Sequence, residues 1–151
     1  MRQTIACLVL AVLSACSSLP WSSSLSVEEE VSAVSQAWIE SFNAGEIDRC
    51  IAAYSEDAVM HALPMGTFVG HDEIGPFWRE FVATTGAGEL VYRNVAIERL
   101  DDDRAVLSAD WGMNVGRGVI TRELWVRQAD DSWRLEEDHF EVLEQFESSG
   151  D

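Results

Sequence analysis

The chain has 151 residues and a formal charge of −17, with 27 Asp and Glu against ten basic residues, all of them arginine. So acidic a chain, with no basic patch, excludes nucleic acid and anionic lipid as electrostatic partners, because both present negative charge. The length suits a single domain, and three cysteines are too few for a disulfide framework.

In chain order, Arg2 precedes an apolar run from Ile5 to Leu13, and the small residues Ser14 and Ala15 precede Cys16. This is the tripartite order of an export signal. The run is shorter than the roughly 20 residues a membrane-spanning helix needs. Leu13-Ser14-Ala15-Cys16 resembles the bacterial lipobox, which implies cleavage before Cys16 and lipid on its thiol. Acyl chains anchor by burying methylene groups at about 0.8 kcal/mol each, so several on one cysteine hold stably. Ser17 stands where an aspartate would signal inner-membrane retention, so the expected location is the outer membrane, facing the periplasm. Cleavage leaves nine Arg against 27 acids, a formal charge of −18. Cys50 is then the one thiol without lipid, expected as a buried helical residue. Residues 17–26 are serine-rich and read as a tether. Residues 27–146 make one compact domain, and 147–151 a polar tail.

Ser26-Val27-Glu28-Glu29 has the form of a capping box. Val27, Val31, Val34, Trp38 and Phe42 follow at helical spacing until Gly45. A short helix is expected over Ile47 to Tyr54, then a hairpin, Ala58 to Leu63 and Thr67 to Val69, turning at Pro64-Met65-Gly66. A third helix follows Gly70, with Pro76 tolerable near its first turn. Four long strands are expected beyond Glu89: 90–100, 104–115, 119–127 and 133–143. Their separators are Asp101-Asp102-Asp103, Gly116-Arg117-Gly118 and Asp130-Asp131-Ser132. Three helices followed by an antiparallel meander make an α+β fold. Its sheet must curl round the helices to bury one face, giving a cone-shaped α+β barrel with an open mouth.

Three stretches carry a resemblance to the nuclear transport factor 2-like superfamily, particularly its SnoaL-like and ketosteroid-isomerase-like members. They are Trp38…Phe42-Asn43-Ala44-Gly45-Glu46…Tyr54-Ser55-Glu56-Asp57-Ala58; Pro64-Met65-Gly66…Gly70-His71-Asp72-Glu73-Ile74; and Gly118…Trp125-Val126-Arg127…Asp131-Ser132-Trp133-Arg134-Leu135…Asp138-His139. The resemblance implies the cone fold and homodimers paired through the open sheet face, but no single activity. Isomerase chemistry needs a carboxylate base and two acids that donate to an enolate oxygen. Carried across by resemblance, the first donor falls on Trp38. The base falls in His61-Ala62-Leu63-Pro64, which holds no carboxylate, and the second donor aligns with Glu123. Two of three roles are missing, so steroid-type isomerisation is not expected.

If Gly116-Arg117-Gly118 is the tight turn, Trp111 faces Glu123 and Asp110 faces Leu124. The last turn sets Glu123 beside Asp138 and Leu124 beside Glu137. One face then gathers Ala109, Trp111, Met113, Thr121, Glu123, Trp125, Asp138 and Phe140. The other gathers Ser108, Asp110, Gly112, Arg122, Val126, Leu135, Glu137 and His139; a one-residue slip would exchange them. Glu123 and Asp138 are candidate paired carboxylates, one protonated by its neighbour's charge; the competing expectation is two solvated acids. His61 and His139 are candidates for a lone catalytic base, or ordinary strand residues. His71 is expected at a helix N-terminus. No ligand-spaced histidine pair exists, so no metal site is expected, and no cofactor motif is visible. Trp38, Tyr54, Trp78, Trp111 and Trp125 are the candidate ligand-binding walls for a small apolar molecule. Binding in the cone is the first expectation. A cofactor-free acid–base enzyme using Glu123, Asp138 and His139 or His61 is the second, and a homodimeric assembly module the third.

Overall fold

The computed structural model describes residues 25–146. The expected signal, Cys16, most of the tether and the tail lie outside that range.

Helix α1, Val27–Asn43, begins as its capping box dictates. Ser26 Oγ accepts from the Glu29 N–H at 3.2 Å, and the Ser26 N–H donates to Glu29 Oε2 at 2.7 Å. Glu28, Glu29 and Glu30 set negative charge against the positive end of the helix dipole. Val27, Val31, Trp38, Ile39 and Phe42 form the buried stripe. Helix α2, Ile47–Ala52, is shorter than the sequence suggests. The Ala53 carbonyl accepts from the Leu135 N–H at 2.9 Å, which draws the chain into extended form at Tyr54. Strands β1, Tyr54–Leu63, and β2, Gly66–Val69, form the expected hairpin.

Helix α3 runs His71–Thr85 and holds Pro76 in its second turn, one turn later than expected. The missing N–H costs the Asp72 carbonyl its helical partner, and Pro76 and Asp72 are both exposed, so water can serve that carbonyl. Gly86 ends the helix at φ +66, a left-handed cap that suits glycine.

Strands β3, Val91–Arg99, β4, Arg104–Met113, β5, Gly116–Arg127, and β6, Trp133–Gln145, follow in antiparallel succession. The sheet order is β2-β1-β6-β5-β4-β3. The chain crosses by α3 to the far edge and walks back until β6 lands beside β1, running parallel to it. The sheet is therefore mixed rather than wholly antiparallel, curved round three helices and not closed. The β4–β5 turn also differs from expectation. Met113 pairs with Gly116, so the turn is Asn114-Val115, Trp111 faces Gly118 and Glu123 faces Leu107.

The β5–β6 register is the expected one, Glu123 opposite Asp138 and Leu124 opposite Glu137. Bulges correct the two faces in detail. Thr121 is the extra residue of β5 and stands exposed, with Ile120 turned inward in its place. Glu136 is the extra residue of β6, which turns Leu135 inward as well. The core fills the space between helices and concave sheet face, with Trp125, Tyr54, Met60, Ile74, Leu90, Leu107 and Leu135 fully enclosed. Burying side chains of this size contributes roughly 1.5–3 kcal/mol each. Cys50 is buried and free, its thiol pushed up to about 12 chiefly by burial.

Candidate functional site

Helices cannot fill the concavity completely, and a cavity of about 40 Å³ remains, room for a few waters. Helix α1 contributes Ser35 and Trp38, α3 contributes Phe77, Trp78 and Phe81, the β1–β2 turn contributes Met65, Leu90 stands just before β3, and the strands contribute the rest of the wall. Its closed end is made by Tyr54, Trp125 and Leu135, all 2% exposed or less. At the other end Met65 is 41% exposed, with Met113, Phe81 and Val142 only partly buried beside it. That end is the mouth. Methionines there suit a mouth that must deform, since thioether chains repack easily.

Two acids interrupt the apolar wall. Glu123 and Asp138 are 4% and 5% exposed, so the expectation of solvated carboxylates is overturned. They are directly opposed on antiparallel strands, which sets Cβ atoms roughly 4.5–5.5 Å apart. The Tyr54 hydroxyl donates to Asp138 Oδ2 at 2.6 Å and itself accepts from the Trp78 indole N–H at 3.2 Å. The Tyr92 hydroxyl donates to Glu123 Oε1 at 2.9 Å, and the Trp125 indole N–H donates to Oε2 at 3.0 Å. Both Glu123 oxygens are thus occupied, whereas Asp138 Oδ1 accepts no bond among the described residues.

Burial, and next the charge of Asp138, push Glu123 up to about 8. Burial pushes Asp138 up to about 6, against the bond from Tyr54. Burial and the mutual coupling of the two carboxyls disfavour two negative charges side by side, so the pair takes up a proton more readily than ordinary carboxylates do. Burial, followed by the adjacent carboxylates, holds Tyr54 and Tyr92 well above the ordinary tyrosine range, so both remain donors.

All five aromatic residues singled out in the sequence, Trp38, Tyr54, Trp78, Trp111 and Trp125, line the cavity. Their indole N–H groups differ in use. Trp38 donates to the Cys50 carbonyl at 3.1 Å and braces α1 to α2, so it offers no donor to the cavity. Trp111 lies over Gly118 and its N–H has no partner among the described residues. Trp133 stands outside the cavity, donating to Glu30 at 2.9 Å beneath the Arg127 guanidinium.

The histidines are elsewhere. His61 and His139 are register partners on β1 and β6, ring centroids 4.4 Å apart, on the outer face of the sheet. Their inward neighbours are Met60, Ala62, Asp138 and Phe140. Neither lines the cavity, so the structure gives no support to either as a base within it. His61 Nδ1 is bonded to Thr67 Oγ1 at 2.8 Å, and burial lowers His139. His71, at the start of α3, bonds the Tyr54 carbonyl at 2.9 Å. Among the described residues no group of three or more His, Cys, Asp or Glu is placed to hold a metal ion.

Sequence reasoning missed Tyr92, the donor to Glu123. Its signal was the β3–β4 register, which pairs Tyr92 with Trp111 and so gives it the same face.

A search of the curated proteins finds no match. Solved structures share the fold. A ketosteroid isomerase-like protein from Erwinia carotovora atroseptica SCRI1043 is 18% identical, TM-score 0.63, over 77% of this chain and 95% of that one. An NTF-2 like protein of unknown function from Shewanella oneidensis MR-1 is 18% identical, TM-score 0.61, over 76% and 98%. LinA is 12% identical, TM-score 0.66, over 82% and 90%. At such identities the likeness is one of fold. The SnoaL-like domain profile matches residues 35–141, a span that includes α1 from Ser35 onward and every residue lining the cavity except Val142. The chain belongs to the SnoaL-like domain family.

Proposed function

We propose that the cavity binds a compact, largely apolar small molecule, oriented by the Glu123–Asp138 pair. The observation that carries this reading is an aromatic slot, closed at one end and open at a methionine-lined mouth, whose wall holds two buried carboxylates. Apolar walls with a few convergent polar groups are the usual make-up of a ligand site. A cavity of about 40 Å³ admits a ligand only if the mouth opens, so binding should quench or shift the emission of the wall tryptophans. A fluorescence and native-mass screen of small aromatic and alicyclic compounds against the Cys16→Ser chain tests it. Saturable binding that Phe140→Arg abolishes is expected; no compound bound at millimolar concentration sinks the reading.

A second reading, acid–base catalysis, is favoured by one observation. Asp138 has an oxygen free of partners among the described residues, while burial and the charge of Asp138 raise its neighbour Glu123 to about 8. Two carboxyl groups driven apart in protonation are what base and acid roles require. Asp138→Asn should then lower kcat far more than it weakens binding of the same compound.

We also propose, from the sequence around Cys16 alone, that lipid on that cysteine tethers the domain to the cell envelope. Incorporation of labelled fatty acid, absent in Cys16→Ser, is the expected result. Pairing through the open sheet face completes the proposal. Exposed Val91, Val95 and Leu143 support it, and a monomer at all concentrations by light scattering contradicts it. Two anchors per dimer would strengthen retention.

A further inference from the structure

We infer that the ligand is a small organic cation, a protonated amine on an apolar body, seated with its N–H groups on the Glu123–Asp138 pair. The inference rests on the reading of the cavity as a ligand site and names the chemical class of the occupant.

The chain spends its arginines elsewhere. Arg49, Arg79, Arg104, Arg117, Arg122 and Arg127 pair with Glu46, Asp48, Asp101, Glu144, Glu137 and Glu30. Those acids all retain a quarter or more of their side-chain exposure. The two most buried acids, Glu123 and Asp138, have only neutral donors, the hydroxyls of Tyr54 and Tyr92 and the indole of Trp125. No arginine or histidine lines the cavity among the described residues. The titratable groups facing the pair are Tyr54 on β1 and Tyr92 on β3; α1 and α3 contribute Ser35 and aromatic rings, none of which titrates in range.

A buried negative charge without a counter-ion is costly, and sharing one proton removes only half of the problem. One negative charge remains, which a single ammonium group neutralises. Asp138 Oδ1, free of protein partners, is available to accept its N–H. Trp78, Trp111, Trp125 and Phe140 surround the acids, and aromatic faces attract cations, more strongly when water is excluded. A neutral apolar ligand would gain the walls but leave the charge stranded deeper. An anion would add a second charge of the same sign. The chain's −17 adds long-range attraction for cations.

The test uses three probes of one shape, benzylamine, benzyl alcohol and benzoate, titrated calorimetrically into the full chain carrying Cys16→Ser, with a neutral hydrophobic dye as control. Benzylamine should bind about tenfold or more tightly than the alcohol, a difference of about 1.4 kcal/mol, and benzoate should not bind. Glu123→Gln with Asp138→Asn should erase the amine's advantage, so that amine and alcohol bind alike. In the unsubstituted cavity, amine binding at pH 7 should release protons, read from its dependence on buffer ionisation enthalpy, a measurement that does not need the variant to fold. Equal binding of amine and alcohol, or an amine preference that survives the double substitution, overturns the cation inference and leaves the cavity reading standing. Failure of all three probes and the dye overturns both.

Discussion

Glu123 and Asp138 take their properties from position rather than from kind. The chain has 27 acids, and among the described residues these two alone are buried. Their raised proton affinity is a stability statement. The folded chain holds protons that the unfolded chain has released, so between the ordinary carboxylate range and about 8 folding binds protons and stability falls as pH rises. Glu123→Gln keeps shape and removes that proton. The thermal midpoint of the variant should therefore exceed that of the wild type at pH 8, and the gap should close toward pH 4. The whole difference is on the order of a few kcal/mol. Glu29, Glu30, Asp101 and Asp130, each lowered by hydrogen bonds, act oppositely and give up stability only in acid.

The tryptophans divide at the same scale. Trp125→Phe strands a Glu123 oxygen, whereas Trp111→Phe removes an N–H that has no partner. Orphaning a buried polar atom costs roughly 1–3 kcal/mol. Chemical denaturation should accordingly show the larger loss for Trp125→Phe. The sequence announced five aromatic residues of the wall but not Tyr92, and not which indoles are already bonded, because that depends on residues far away in the chain.

Elements with local signals were legible. The capping box at Ser26 and Glu29 formed as spaced, and Ser26→Ala should cost about 1 kcal/mol by equilibrium unfolding. The β5–β6 register followed from the short turn at Asp130 to Ser132, and it brought Glu123 and Asp138 together. The β4–β5 turn was misplaced because Gly116-Arg117-Gly118 looks more turn-like than Asn114-Val115. Gly118 is there for another reason. A Cβ would sit 1.9 Å from the Glu141 carbonyl oxygen and 2.7 Å from the Trp111 ring. Gly118→Ala should thus destabilise by about 1–3 kcal/mol or more, and the loss of midpoint in urea measures it. Bulges at Thr121 and Glu136 escaped detection, since alternation of side chains assumes an unbroken pleat.

At the scale of the molecule, the cone could be argued from helices followed by a meander, and the resemblance agreed. The parallel pairing of β1 with β6 could not, because its partners are separated by most of the domain and leave no periodic trace. That pairing is also what puts His61 and His139 outside while setting Tyr54 against Asp138 inside. This fold buries two coupled carboxylates in an otherwise apolar cavity. Carboxyl-carbon NMR through a pH titration, assigned with Glu123→Gln and Asp138→Asn, tests it most directly. Two carboxyl groups should titrate apart from all the others, near 8 and near 6. Titration of both with the ordinary acids, at about 4, would contradict it.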